Sequence, residues 1–145
     1  MDPQRHELAA HAAIPLGIGR PARHIFLCCD ATEAKCCDRA ASLAAWEHLK
    51  RRLKERGLSG TSAPVAIHRS KAACLRICTA GPIAVVYPEG VWYHSCTPEV
   101  LDLIVDQHLV GGRIVEEYAF ARMPSTPATR SSEASPEAVP VPPEP

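Results

Sequence analysis

The chain has 145 residues, a formal net charge of zero and an apolar fraction of 46%. That size suits one domain with its own core, and the balanced charge argues against nucleic acid as the main partner. No apolar run approaches a bilayer span and the N-terminal MDPQRHELAA lacks the basic-then-apolar order of a secretory signal, so a soluble cytoplasmic protein without membrane insertion is expected.

Residues 1–22 carry Pro3, Pro15 and Pro21 among alanines without a clean period, and read as a flexible leader. HIFLC (24–28) is a short apolar run and reads as a strand. A polar loop, DATEAK, follows. Asp38 is placed to cap a helix through its carboxylate. Leu43, Trp46, Leu49 and Leu53 form one stripe on that helix, its basic C-terminal half suits the dipole, and Gly57 ends it. The basic run KRRLKER reads as a solvated helix face, with the weaker idea that it docks an acidic partner.

PVAIHR (64–69) is the next strand expected, followed by the loop SKAACLRICTAGP. IAVVY (83–87), the turn Pro88-Glu89-Gly90 and VWYH (91–94) read as a hairpin, with Trp92 assigned to the core. Thr97 and Pro98 start a second helix that buries Leu101, Ile104 and Val105 and stops at Gly111-Gly112. IVEEY (114–118) is expected to add a terminal strand. The folded domain is thus expected over 23–121. The tail at 122–145, with seven of the fourteen prolines and no aromatic residue, is expected to stay disordered. The order β-α-β, hairpin, helix predicts an α/β sandwich with a small mixed sheet and two main helices. A thioredoxin-like architecture is compatible, as are other small α/β folds.

Seven cysteines occupy three places: CCDATEAKCC at 28–37, CLRIC at 74–78 and Cys96. Without a secretory signal, thiols grouped this way point to metal or redox chemistry. The first group ends a strand and opens a helix, and the second fills a loop before a strand. In a βαβ unit two such loops can meet at one end of the sheet, as a four-thiolate site requires. Four thiolates suit a 2Fe–2S cluster or structural zinc, although zinc modules favour C-x2-C pairs that are absent here. A thiol exchanger needs C-x-x-C at a helix start, also absent. Burial as small apolar residues is the remaining reading for some of the thiols, Cys96 first.

HIFLC, the cysteine doublet before a helix, CLRIC followed by GPIAVVYPEGVWY, the Thr-Pro-Glu helix start and HLVGGRIVEEY resemble the thioredoxin-like 2Fe–2S ferredoxins, in particular the small stand-alone bacterial and cyanobacterial type. The resemblance covers roughly 24–120. It implies a thioredoxin-like fold, a 2Fe–2S cofactor and a one-electron carrier without substrate chemistry of its own. It implies redox partner proteins, a reductase or oxidoreductase, and a hairpin region able to support a homodimer. Residue by residue, it implies Cys28, Cys74 and Cys78 as ligands, with the second ligand in the Cys36-Cys37 doublet. Cys37 is favoured for its place beside the helix start and Cys36 is the alternative. Only eight residues separate Cys28 from Cys37, fewer than in longer-loop members, which suggests a more exposed cluster. Lys35, Arg39, Arg69, Lys71 and Arg76 lie near the expected ligands, and Gly81-Pro82 is expected to shape the backbone beneath the loop. An accessory subunit or redox sensor of a larger oxidoreductase is the second reading; a zinc-stabilised interaction domain is the third.

Overall fold

A computed structural model describes residues 2–18, 23–31, 35–59, 63 and 65–124. Within the segment expected as a loose leader, Pro3–Ala13 forms α1, with Asp2 capping Gln4 N at 3.0 Å and proline in the first turn; residues 19–22 lie outside the described residues. No residue of α1 is buried. The tail expected as disordered lies outside the described residues from 125 onward, whereas Arg122 and Met123 are structured, the Met123 N–H donating to Gly90 O at 3.1 Å.

The domain begins with β1 (His24–Cys28), then α2 (Arg39–Glu55), β2 (His68–Ala72), β3 (Ala84–Tyr87), β4 (Val91–Tyr93), α3 (Pro98–Leu103) and β5 (Ala119–Arg122). The sheet order is β2-β1-β3-β4-β5, with β1 and β2 parallel and the other pairs antiparallel. Strand alternation puts Ile25, Leu27, Val86, Ala84, Val91 and Tyr93 on one face. There they share a core with Ala45, Trp46, Leu49 and Leu53 of α2 and with Val100, Leu101, Ile104 and Leu109. Each fully buried Leu or Ile of this layer contributes roughly 1.5–3 kcal/mol. The result is the expected α/β sandwich, a mixed sheet with both main helices against one face.

Helix ends follow local chemistry, with two differences from expectation. Asp38 occupies the N-cap of α2 but its side chain makes no cap bond; its carbonyl accepts from Ser42 N at 3.1 Å instead. Gly57, at φ +64°, ends α2 in a paired C-cap: its N–H donates to Lys54 O at 3.1 Å and that of Leu58 to Leu53 O at 2.9 Å. Thr97 caps α3 through Val100 N, and beyond Leu103 the chain widens into a π-helical segment, Ile104–Val110, that the apolar spacing does not signal.

Three expectations shift. The second strand lies at 68–72, not 64–69 (64 is outside the described residues), because β1 selects its parallel partner by pairing His24 with His68 through Cys28 with Ala72. The terminal strand is 119–122, not 114–118: Val115 turns inward and its N–H donates to the Tyr93 hydroxyl at 3.2 Å. On β4 it is Tyr93 that is wholly buried, and Trp92, on the other sheet face, is only half-buried.

Candidate metal centre

Parallel pairing of β1 and β2 ends both strands side by side, and ligand sites in α/β sheets form beyond such carboxyl ends. Cys28 is the last residue of β1, held between its neighbours: its N–H donates to Ile83 O, and that of Cys29 to Ala72 O, both at 2.8 Å. Just past β2, Ala73 and Cys74 come abreast of it, the Cys28 thiol lying 3.8 Å from Ala73 O. The cleft formed here has a volume of about 260 Å³. Cys28, Cys36, Cys74 and Cys78 line it, with Ala31, Ala73 and Ile77 as apolar walls and Lys35 at its edge.

One pair of cleft thiols is set at coordination spacing. Cys28 Sγ and Cys36 Sγ are 3.8 Å apart. Two sulfurs at about 2.3 Å from one tetrahedral metal lie roughly 3.8 Å apart, so this pair spans one edge of such a site. Cys74 and Cys78 form the second pair on the exposed side of the cleft, organised by Arg76. The Arg76 N–H donates to Cys74 Sγ at 3.2 Å and its carbonyl lies 3.7 Å from Cys78 Sγ. Among the described residues no three His, Cys, Asp or Glu side chains converge on a single ion. Thiols grouped two and two suit a binuclear group.

Cys37 does not line the cleft; its Sγ lies 3.9 Å from that of Cys36. Cys36 is seated by Gly81, whose N–H donates to Cys36 O at 2.9 Å. A Cβ at Gly81 would come 2.6 Å from Cys36 Sγ, so the glycine is there to let the thiol pass. The Gly81 loop is fastened in turn by Ser95 N to Ala80 O at 2.8 Å and Cys96 N to Pro82 O at 2.9 Å.

Backbone strain concentrates around the thiols. Asp30, Arg76 and Ala80 hold φ of 62°, 69° and 54°, a left-handed region that side chains disfavour and that persists where surrounding contacts enforce it. At Asp30 the enforcing contacts are Arg39 Nε at 2.9 Å and Lys71 Nζ at 3.8 Å, which clamp the loop between Cys28 and Cys36 to α2 and β2. Arg39's hydrogen bond and charge hold the Asp30 carboxyl below the usual range. Burial pushes the Cys28, Cys36 and Cys37 thiols upward.

Of the expected cations, Lys35 borders the cleft and Arg76 serves it through its backbone; Arg39 and Lys71 engage Asp30, and Arg69 lies over the Trp46 ring at 5.7 Å. Cys29 and Cys96 are buried, and Cys96 approaches Tyr93 O and His94 O at 3.7 and 3.8 Å. Gly81 shapes the backbone at Cys36, in line with the expectation for Gly81-Pro82. Asp30 supports the site through Arg39 and Lys71, a role motif spacing does not reveal because Lys71 is far along the chain.

Four thiols around one cleft suit zinc or a 2Fe–2S group, and comparison with known proteins separates these. No protein-family model matches the chain. It is 33% identical over 100 residues to a 2Fe–2S ferredoxin of Clostridium pasteurianum, covering 66% of this chain and 93% of that protein. A 2Fe–2S ferredoxin of Aquifex aeolicus strain VF5 is 47% identical over 49 residues, 34% of this chain and 44% of that protein. Among solved structures, the thioredoxin-like 2Fe–2S ferredoxin from Aquifex aeolicus superimposes with a TM-score of 0.58 at 27% identity, covering 69% of this chain and 97% of that one.

Proposed function

The chain belongs to the thioredoxin-like 2Fe–2S ferredoxins, and from that premise we propose that it is a one-electron carrier whose cluster is held by Cys28, Cys36, Cys74 and Cys78. The observation that carries the ligand set is the cleft these four thiols line, with Cys28 and Cys36 at 3.8 Å. This reading takes Cys36 rather than Cys37, since proximity to the helix start counts for less than access to the cleft.

The residues present fit the group: four sulfur donors from two loops and walls of Ala31, Ala73 and Ile77 that limit water. A 2Fe–2S cluster supplies a one-electron couple and, with four thiolates, leaves no open iron position for substrate. The chain's own groups tune and expose it. The Arg76 N–H to Cys74 Sγ withdraws charge from a ligand sulfur, and Lys35 brings positive charge to the cleft edge, both easing reduction. Cys74 and Cys78 are exposed, so that edge is where electrons pass to and from redox partner proteins. Among the described residues no helix is long and apolar enough to cross a membrane. Seven free thiols suit the reducing cytoplasm, the location this reading assigns.

The test is an anaerobic preparation examined by visible and electron-paramagnetic spectra with iron and sulfide analysis. About two irons and two sulfides per chain are expected, and equimolar zinc without iron would refute the reading. Cys36→Ser is expected to shift the spectrum or lower iron content, and Cys37→Ser to leave both unchanged; the reverse would exchange the two assignments.

A further inference from the structure

The basic residues of α2 divide by partner. On the side facing the second helix, Arg52 meets Asp102 at 2.9 Å and Arg56 pairs with Asp106. On the other side a cleft of about 340 Å³ opens between α2 and β2, lined by Glu47, Lys50, Arg51, Lys54, Ser59 and Arg69. Its lining holds four cations and one carboxylate; Lys50 is paired with that carboxylate at 3.0 Å and Arg51 with the neighbouring Glu55 at 3.9 Å. Lys54 and Arg69 have no ion-pair partner among the described residues. Arg69 is also pre-set: its guanidinium lies 5.7 Å over the Trp46 ring, and its Nε is buried, with no hydrogen-bond partner among the described residues. The buried Nε is out of a partner's reach, but a planar guanidinium held in place this way offers its terminal N–H groups for bidentate recognition of a carboxylate.

We propose that this cleft is a docking seat for a carboxylate-rich face of a partner protein. The inference rests on the electron-carrier reading for its purpose. Arg69 lies three residues before Ala72 at the cluster end of β2, about 10 Å along the strand, so a partner seated here reaches toward the thiol cleft. The charge is local. With a net charge of zero the chain lacks the broad positive field that nucleic-acid binding uses, which favours a protein surface as the occupant. Small charged seats of this kind set encounter rate and orientation in transient electron-transfer complexes.

The experiment titrates an octaglutamate peptide into the full-length, cluster-loaded chain by calorimetry, recording the visible spectrum of the same sample. Binding is expected to weaken about tenfold between about 20 and 200 mM salt. Lys54→Glu, at an exposed position, is expected to weaken it about tenfold, and Arg69→Lys, which keeps the charge but loses the fork, about threefold. Peptide binding equal in wild type and Lys54→Glu overturns the proposal. So does an octathymidylate that binds as tightly with the same sensitivity to both variants, which would mark a general polyanion site. A normal cluster spectrum without peptide binding removes the docking seat and leaves the carrier standing; a colourless protein that binds the peptide supports the seat and removes the carrier.

Discussion

Gly81 makes room for the Cys36 thiol at the scale of a single methyl group. A Cβ there would meet Cys36 Sγ at 2.6 Å and Cys36 Cβ at 2.8 Å. Gly81→Ala is therefore expected to displace the thiol, cost about 1–3 kcal/mol through overpacking and reduce iron per chain. Gly57 is the control. A Cβ added at Gly57 would meet nothing within 4 Å, but the residue sits at φ +64°. Gly57→Ala should therefore cost about 1–2 kcal/mol of backbone strain with iron content intact. Melting curves and iron analysis on both variants separate these outcomes. Cys96 lies away from the cleft: it is wholly buried, and burial raises its thiol far above the ordinary range. Cys96→Ser should lower stability by about 1–3 kcal/mol through an underused buried hydroxyl while leaving the cluster spectrum unchanged. Position along the chain sets Cys96 apart from the two loop groups; what separates Cys36 from Cys37 is that only Cys36 lines the cleft.

Between elements, the two helices are pinned by Asp102, which accepts from His48 Nε2 at 2.8 Å and Arg52 Nε at 2.9 Å. Partial burial works to raise this carboxyl, but His48 and Arg52 outweigh it and hold the group below its ordinary value. A depressed carboxyl contributes stability above its unfolded value, near 3.9, and loses it as pH falls through the folded value. Asp102→Asn should therefore cost about 0.5–1 kcal/mol at neutral pH, and the difference from wild type in urea midpoint should shrink as pH falls below the ordinary carboxylate range. The strands show why element boundaries are hard to read from sequence. The apolar run at 64–67 signals a strand, yet Ala66 and Ile67 are buried without a ladder, the Ile67 N–H donating to Leu58 O at 2.9 Å. The true β2, HRSKA, is an edge strand bonded on one side, so nothing demands an apolar alternation in it.

Across the whole molecule a polar chain that runs from the surface into the core links elements far apart in sequence. Arg23 Nε donates to Glu89 at 2.8 Å, Glu89 Oε2 faces His108 Nε2 at 3.4 Å, and His108 Nδ1 meets the Tyr93 hydroxyl at 2.8 Å. The Glu89 carboxylate can only accept, so the proton of a neutral imidazole sits on Nε2, and Nδ1 accepts from the Tyr93 hydroxyl, which in turn accepts from Val115 N–H. Burial holds His108 below its ordinary value, against the pull of Glu89. A lowered histidine contributes stability above its unfolded value, near 6.5, and loses it as pH falls from there through the folded value. Tyr93→Phe should cost about 1–3 kcal/mol by stranding His108 Nδ1 and Val115 N–H, and His108→Gln should remove the stability loss that sets in as pH falls below about 6.5, both read from unfolding midpoints. Deleting residues 1–16 should leave stability within about 0.5 kcal/mol, since no residue of α1 is buried.

Chemistry and outline are written locally along the chain: two thiol-bearing loops beside strands, a stripe of Leu and Trp for α2, Thr-Pro for α3, and an α/β order around a mixed sheet. Such patterns are legible wherever spacing and neighbours carry the signal. Long-range packing settles the rest: which thiol of the doublet faces the cleft, that Gly81 makes room for it, that Asp30 clamps its loop, and where β2 and β5 begin. Most of these depend on partners far along the chain, and the register and packing that bring such partners together exist only once the sheet has formed.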